Sequence, residues 1–334
     1  MQKIFISKSF KDIKKIKNNF YKRNYELLKQ AENWNKIYSK QSKRLTCKNC
    51  NYKLKKKIFS MHFASYTICE KCSHLNGLNN DTEKFNKYLY KSNNTKFTKF
   101  YDKDYNSRVK KISKPKLNFL KKIINLENKK IIDIGCGAGN FVKACENDKI
   151  ECVGYEPNNA VVNFGKKYLK KNKIINVGLN DYFEIIENSN ADVISLLGVL
   201  EHLSQPNKFF EAFNKSKADY IFLTVPLMSF SVILENAFEN IYPRVLGGVH
   251  NHLYTEKSLR FLFKKYKLKI VGEWWFGSDM MDLHRFISVS QKSNNKSSYK
   301  KLIDKYFTNI LDDLQNILDK NKLCSDVHYV LKRN

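Results

Sequence analysis

The sequence predicts an α/β protein with a Rossmann-like, mostly parallel sheet and a smaller cysteine-rich unit ahead of it. Three observations carry that expectation. Apolar runs alternate with helical patterns from about residue 130 onward. One of those runs, Ile131-Ile132-Asp133-Ile134, passes at once into Gly135, Gly137 and Gly139, and then into a helical pattern at Phe141, Val142 and Cys145. Four of the eight cysteines stand as Cys47-x2-Cys50 and Cys69-x2-Cys72. A buried strand, a tight turn and a helix in that order open a nucleotide-binding α/β unit. Each glycine lets backbone approach a ligand where a Cβ would clash. A dinucleotide fingerprint needs a further glycine where this chain has Asn140.

The elements follow from the patterning. Residues 1–40 carry apolar residues at helical spacing (Ile13, Ile16, Phe20, then Tyr21, Tyr25, Leu28) and form an N-terminal helical segment. Residues 41–80 hold the cysteine knuckles, and 81–128 form a connector that is polar, then helical. The core occupies 129–290. Its strands are expected at 130–134, 151–156, 173–177, 191–197 and 219–225, with helices at 140–147, 158–171, 205–215 and 255–266. An irregular insert covers 226–254. Strands 267–275 and 283–290 close the sheet as an antiparallel pair, giving seven in all. Residues 291–334 read as a Ser/Asn-rich linker at 291–298 and an amphipathic helix at 299–320, striped by Ile303, Phe307, Ile310, Leu314 and Ile317. Such a stripe is expected to pack on its own domain rather than form a dimer seam.

Composition narrows the class. The formal net charge is +29, but arginine supplies only seven of the 61 basic residues. Nucleic-acid sites lean on arginine for bidentate contacts, so the charge reads as a lysine coat of the kind AT-rich codons favour. The longest apolar stretch, Ile221 to Leu234, is broken by Pro226, and none reaches the roughly 18 residues of a membrane span. The first ten residues lack the pattern of a signal peptide. A cytoplasmic location is expected. In that setting paired C-x-x-C knuckles mean metal rather than disulfides. Cys47, Cys50, Cys69 and Cys72 fit tetrahedral thiolate zinc with no open ligand position, a structural role.

The G-x-G-x-G spacing behind Asp133 resembles the first motif of the class I S-adenosylmethionine-dependent methyltransferases. The resemblance runs over roughly residues 129–290. It continues in Val153-Gly154-Tyr155-Glu156-Pro157, in Gly198-Val199-Leu200-Glu201-His202-Leu203, in Phe222 to Pro226 and in His252 to Leu259. It implies a seven-strand methyltransferase sheet and S-adenosylmethionine as cofactor. Asp133, Gly135, Cys136, Gly137 and Gly139 would lie beside the methionine moiety, Cys136 through its backbone. Glu156, followed by Pro157, would accept from both ribose hydroxyls. Gly198 would sit on the same rim, and Asp181, from the loop Leu179 to Phe183, is the candidate adenine contact.

Ligands of open α/β sheets bind beyond the carboxyl ends of the strands. His202 follows the fourth strand, His250 and His252 close the insert, and Asp279, Asp282 and His284 follow the sixth strand. Histidine suits removal of an acceptor proton, so His202, His250 and His252, with Glu201 beside them, are the catalytic candidates. Some quinone-precursor O-methyltransferases hold a divalent metal with an E-x-x-E-H array. Here Gly198 stands in its first place, and no catalytic metal is expected.

A four-cysteine module ahead of such a core resembles the sugar C-methyltransferases that act on nucleotide-linked keto-deoxysugars. Their Tyr-His-Glu-His motif corresponds to Val249-His250-Asn251-His252, and their additional C-terminal domain has no counterpart. The resemblance implies a small-molecule acceptor, a sugar or sugar nucleotide serving as a surface-glycan precursor. The alternative is an RNA methyltransferase whose zinc ribbon contacts nucleic acid. Against it stand the scarcity of arginine and the sequence Gly198-Val-Leu-Glu201, where base-flipping enzymes carry Asn/Asp-Pro-Pro-Tyr/Phe.

Overall fold

The structure is a computed structural model and describes residues 3–6, 9–92, 105–170, 173–179, 181–247, 250–293 and 297–334. Its strands are β1 (Lys3–Ile6), β2 (Phe59–Met61), β3 (Ala64–Ile68), β4 (Leu75–Gly77), β5 (Lys130–Ile134), β6 (Glu151–Glu156), β7 (Ile174–Asn176), β8 (Val193–Leu197), β9 (Tyr220–Pro226), β10 (His252–Leu253), β11 (Leu268–Phe276) and β12 (Asp326–Arg333). They form an eight-stranded sheet, β1-β11-β12-β9-β8-β5-β6-β7, and a four-stranded one, β10-β4-β3-β2. Seven strands of the large sheet answer to the expected Rossmann-like architecture, and β1 adds an eighth at the edge.

The central strands are rich in Ile, Val and Leu because both faces of a parallel sheet are covered. Ile131, Ile134, Val193, Ile194, Leu196, Ile221, Phe222 and Leu223 are all buried. The helices Asn140–Asn147 and Asn159–Lys166 pack on one face with Lys114–Ile123, and Pro206–Lys215 and Glu256–Lys265 pack on the other. The last of these starts with a reciprocal capping box between Thr255 and Ser258.

The C-terminal third departs from the sequence expectation. Residues 283–290 are not a strand but the middle of a helix, Asp279–Ser293. Arg285 and Asp282 are both fully buried and pair one turn apart, at 3.2 Å. Its Phe-Ile-Ser-Val run imitates a strand, and its buried polar residues Asp279, Asp282, His284 and Arg285 blur the apolar pattern. The missing strand is β12, at the end of the chain. It lies antiparallel between β9 and β11, so the segment 291–334 contributes a core strand and is not only a linker and a helix. The helix expected at 299–320 is two, Ser297–Tyr306 and Leu311–Lys320, joined by a 3-10 turn. Residues 294–296 of the expected linker lie outside the described residues. The insert at 226–254 is not irregular throughout. It contains the helix Phe230–Ala237, capped by Ser229, and ends in β10. Among the described residues no helix is long and apolar enough to cross a membrane.

Two outcomes test the placement of β12. Deleting residues 326–334 should abolish cooperative unfolding in urea. Leu331→Ala, at a fully buried position, should cost about 2–5 kcal/mol, whereas the exposed Lys332→Ala should stay within about 0.5 kcal/mol.

Candidate active site

The chain runs β5, β6, β7 to one side of the sheet and then returns to place β8 on the other side of β5. Ligands bind at such a switch point, beyond the carboxyl ends of the strands. A cavity of about 450 Å³ lies there. Its floor is the turn after β5. Gly135, Gly137 and Gly139 all have positive φ, at 66°, 55° and 69°. A Cβ on Gly135 would come 2.6 Å from the Val199 side chain, whereas one on Gly137 would meet nothing within 4 Å. Gly137 is therefore needed for its backbone conformation, and the space above it is open to a ligand.

The acidic residues are held in place by backbone and hydroxyl donors. Asp133 is buried and accepts from Ser195 Oγ at 2.6 Å. Burial pushes its carboxyl up to about 7, against the Ser195 hydroxyl and the Lys116 ammonium. Glu156, at the tip of β6, accepts from Gly137 N–H and Asn158 N–H, both at 3.0 Å. Burial raises its carboxyl while those two bonds oppose the shift. The Cys136 thiol packs against Gly154, where a Cβ would come within 2.5 Å of the sulfur. Burial drives that thiol well above its ordinary value, which leaves its backbone as the useful part.

Glu201, His202 and His250 meet across the cavity wall, each offering a ligand atom, and all these atoms lie within 4.8 Å of one another. The His202 and His250 rings are 4.8 Å apart. His250 Nδ1 lies 2.7 Å from Val245 O. A carbonyl only accepts, so Nδ1 carries the proton and Nε2 the lone pair. Burial pulls His250 down to about 4 and pushes Glu201 up to about 8.

The sequence candidates divide on inspection. Asp133, Gly135, Cys136, Gly137, Glu156, Pro157, Gly198, Glu201, His202 and His250 line the cavity. Gly139 caps the helix Asn140–Asn147 behind it. Asp181 is exposed and accepts from Gly178 N–H at 2.7 Å; its neighbours Leu179 and Tyr182 line the cavity instead. His252 lies outside the lining, fully buried, with Nδ1 2.9 Å from His74 Nε2. His284 hydrogen-bonds Tyr21 and Asp304, and Asp279 and Asp282 hold Ser231. Val249 lies outside the described residues.

Sequence reasoning missed Arg108, Ser113 and Lys116, which line the cavity from a segment read only for its apolar stripe. Val109–Ser113 is a π-helical turn, a distortion frequent at functional sites. Burial lowers the Lys116 ammonium, offset in part by Asp326, Asp133 and Glu201.

The four cysteines form a second cluster. Cys47 and Cys72 sulfurs are 3.7 Å apart, and Cys50 and Cys69 sulfurs 3.5 Å. Sulfurs about 2.3 Å from a tetrahedral zinc stand about 3.8 Å apart, so the donor set fits that ion. Asn76 and Asn49 amides donate to Cys47 and Cys72 at 3.5 Å.

Residues 101–273, just over half of the chain, match the family described as a methyltransferase domain. The chain belongs to this methyltransferase family. Among solved structures it is similar to a SAM dependent methyltransferase from Archaeoglobus fulgidus, with 18% identity over 66% of this chain and 93% of that one, at a TM-score of 0.42. It is also similar to magnesium protoporphyrin IX methyltransferase from Synechocystis PCC 6803 with bound SAH (9%, 74% and 99%, TM-score 0.44). A third is geranyl diphosphate C-methyltransferase from Streptomyces coelicolor A3(2) (10%, 70% and 84%, TM-score 0.43). No curated protein matches the sequence.

The cradle of this methyltransferase suits S-adenosylmethionine. The turn at Gly137 is open, the Glu156 carboxylate faces the cavity, and the buried Asn140 amide nitrogen has no hydrogen-bond partner among the described residues.

Glu156→Ala should weaken S-adenosylmethionine binding about tenfold or more in calorimetry, with the fold retained. The imidazolium is the form that burial disfavours, so its pKa falls. Long-range ¹H–¹⁵N spectra should accordingly show His250 as the neutral Nδ1–H tautomer at pH 5.5, with protonation only near pH 4.

Proposed function

We propose that the methyltransferase acts on a small-molecule acceptor, a sugar or sugar nucleotide, held between the glycine turn and the wall of Glu201, His202 and His250. The observation that carries this reading is the single cavity that joins both. Asp81, Asn86 and Leu89, from the segment after the cysteine module, also line it. A cavity of about 450 Å³ falls in the range of small-molecule sites, whereas a polynucleotide asks for an open basic groove. Arg108 and Lys116 in the lining favour an acceptor with an anionic group, such as a diphosphate.

S-adenosylmethionine, when bound, supplies a methyl group on a positively charged sulfur. Asp133, the glycine turn and Glu156 orient it. Glu201, His202 and His250 manage the proton that the acceptor loses. Leu203 and Val199 exclude water from the same wall.

In this reading Cys47, Cys50, Cys69 and Cys72 hold a structural zinc, and the module serves the active site as a support. Its strand β4 pairs with β10, and Gly77 N–H donates to Asn251 O at 2.8 Å. Both contacts lie next to His250.

Two measurements test the proposal. Nucleotide-linked sugars should drive formation of S-adenosylhomocysteine, and RNA should not; turnover on RNA with a steep salt dependence would overturn the acceptor class. Cys69→Ser should lose the zinc and lower kcat by about 100-fold, the effect of roughly 1 Å of misplacement. Its affinity for S-adenosylmethionine should stay within about threefold of wild type. Equal losses in both would mean that the module holds the whole fold rather than the acceptor wall.

A further inference from the structure

We propose that Glu201, His202 and His250 form a divalent-cation site on the acceptor wall, separate from the four-cysteine cluster. Their ligand atoms all lie within 4.8 Å of one another, and all three residues line the cavity. Two imidazoles and one carboxylate, with remaining positions open, are the donor set of a divalent metal that works on a bound oxygen.

Two further observations point to an ion. Glu201 is only 4% exposed, and its Oε2 has no hydrogen-bond partner among the described residues. A buried oxygen without a partner costs free energy, and a cation removes that cost. Its other oxygen lies 3.9 Å from His202 Nε2, beyond hydrogen-bond reach. The second observation is the support behind His250. Its Nδ1–H is fixed on Val245 O, which leaves Nε2 as the donor atom, as metal-bound histidines are usually held. Val245 N–H and Leu246 N–H in turn donate to the buried Glu235 carboxylate at 2.6 and 3.0 Å. The segment that carries His250 is thereby tied down one layer further out.

Gly198 takes the place of the first carboxylate in the linear E-x-x-E-H array, so the array alone predicts no catalytic metal. The fold brings in His250 from the insert instead. Three protein donors leave positions for an oxygen-bearing acceptor and for water. A cation there lowers the pKa of a bound hydroxyl, which is how this wall would manage the acceptor proton. That role rests on the proposed function; the binding site itself does not.

The test uses the full chain with its four-cysteine site loaded with zinc and other metals removed. Titration with Mn²⁺, followed by the loss of the free-ion electron paramagnetic resonance signal, should show one ion per chain with the zinc retained. Glu201→Gln and His250→Ala should each weaken uptake about tenfold or more. Co²⁺ in the wild-type protein should give d–d bands without the intense sulfur-to-cobalt absorption of a thiolate site. No Mn²⁺ uptake by the wild type, or equal uptake by both variants, overturns the proposal. The wild-type measurements stand even if a variant fails to fold. S-adenosylmethionine titrations on the same samples separate the two readings. Mn²⁺ bound at this site without cofactor binding counts against the methyltransferase reading and leaves the cation site standing.

Discussion

The side of the cavity lined by His250 and Asn251 depends on one seam, the pairing of β4 with β10. β4 belongs to the cysteine module and β10 to the insert after β9, yet they share a four-stranded sheet. Asn76 stands opposite His252, and Leu75 opposite Leu253. Beside that ladder, His74 and His252 join ring to ring through a buried hydrogen bond of 2.9 Å. Burial holds both imidazoles well below their ordinary pKa. The hydrogen bond requires at least one neutral ring, because two imidazolium ions each offer only donors. Asn49 extends the seam by donating to Ser258 O, and Asn207 by donating to the Lys48 and Asn49 carbonyls. The module is thus knitted into the core at the one place where the core contributes His250 and Asn251 to the cavity.

A second constraint holds the insert from the opposite side. Asp282 is fully buried between Arg244, at 2.8 Å, and Arg285, at 3.2 Å. Burial alone would raise its carboxyl, but the two guanidinium groups prevail and hold it at about 2. Arg285 also donates to Tyr242 O, and Asp282 accepts from Ser231 Oγ. Removing one partner of such a network leaves a charge buried without compensation, which is costly. Asp279 and Asp282, which the sequence offered as part of the rim, therefore anchor the helix Asp279–Ser293 to the insert, and His284 ties it to Tyr21 and Asp304.

What the sequence made legible was local. The strand, glycine turn and helix from Lys130 to Asn147 are contiguous, and their chemistry sits in the residues themselves. Glu156 was legible for the same reason, one strand later. The four cysteines carried their own spacing. What was not legible depended on contacts distant in sequence. β12 reads as a short tail until β9 and β11 are seen to leave a gap for it. The helix Asp279–Ser293 hides its period because Asp279, Asp282, His284 and Arg285 are buried against partners distant in sequence. His252 matches a motif position, but it lies in β10 and its ring hydrogen-bonds His74, whereas His250 stands before the strand and meets the cavity. Lys116 was invisible because a lysine beside a helical apolar stripe ordinarily faces water.

The arginines give the net charge its meaning. Arg23 and Arg260 pair with Glu26 and Glu256 on the surface, Arg44 with Asp81, and Arg244 and Arg285 with Asp282. Arg333 donates to the carbonyls of Phe213, Asn214, Ser216 and Ala218. Only Arg108 of the seven lines the cavity. A surface evolved to track a polynucleotide spreads its forked cations along a groove. Here six of the seven hold carboxylates or carbonyls of the chain, two of them on the surface, and the excess of +29 is carried by lysine. The field of that coat draws anions of any kind toward the protein. Within the cavity the cations are Arg108 and Lys116, which line it together with Glu201, His202 and His250.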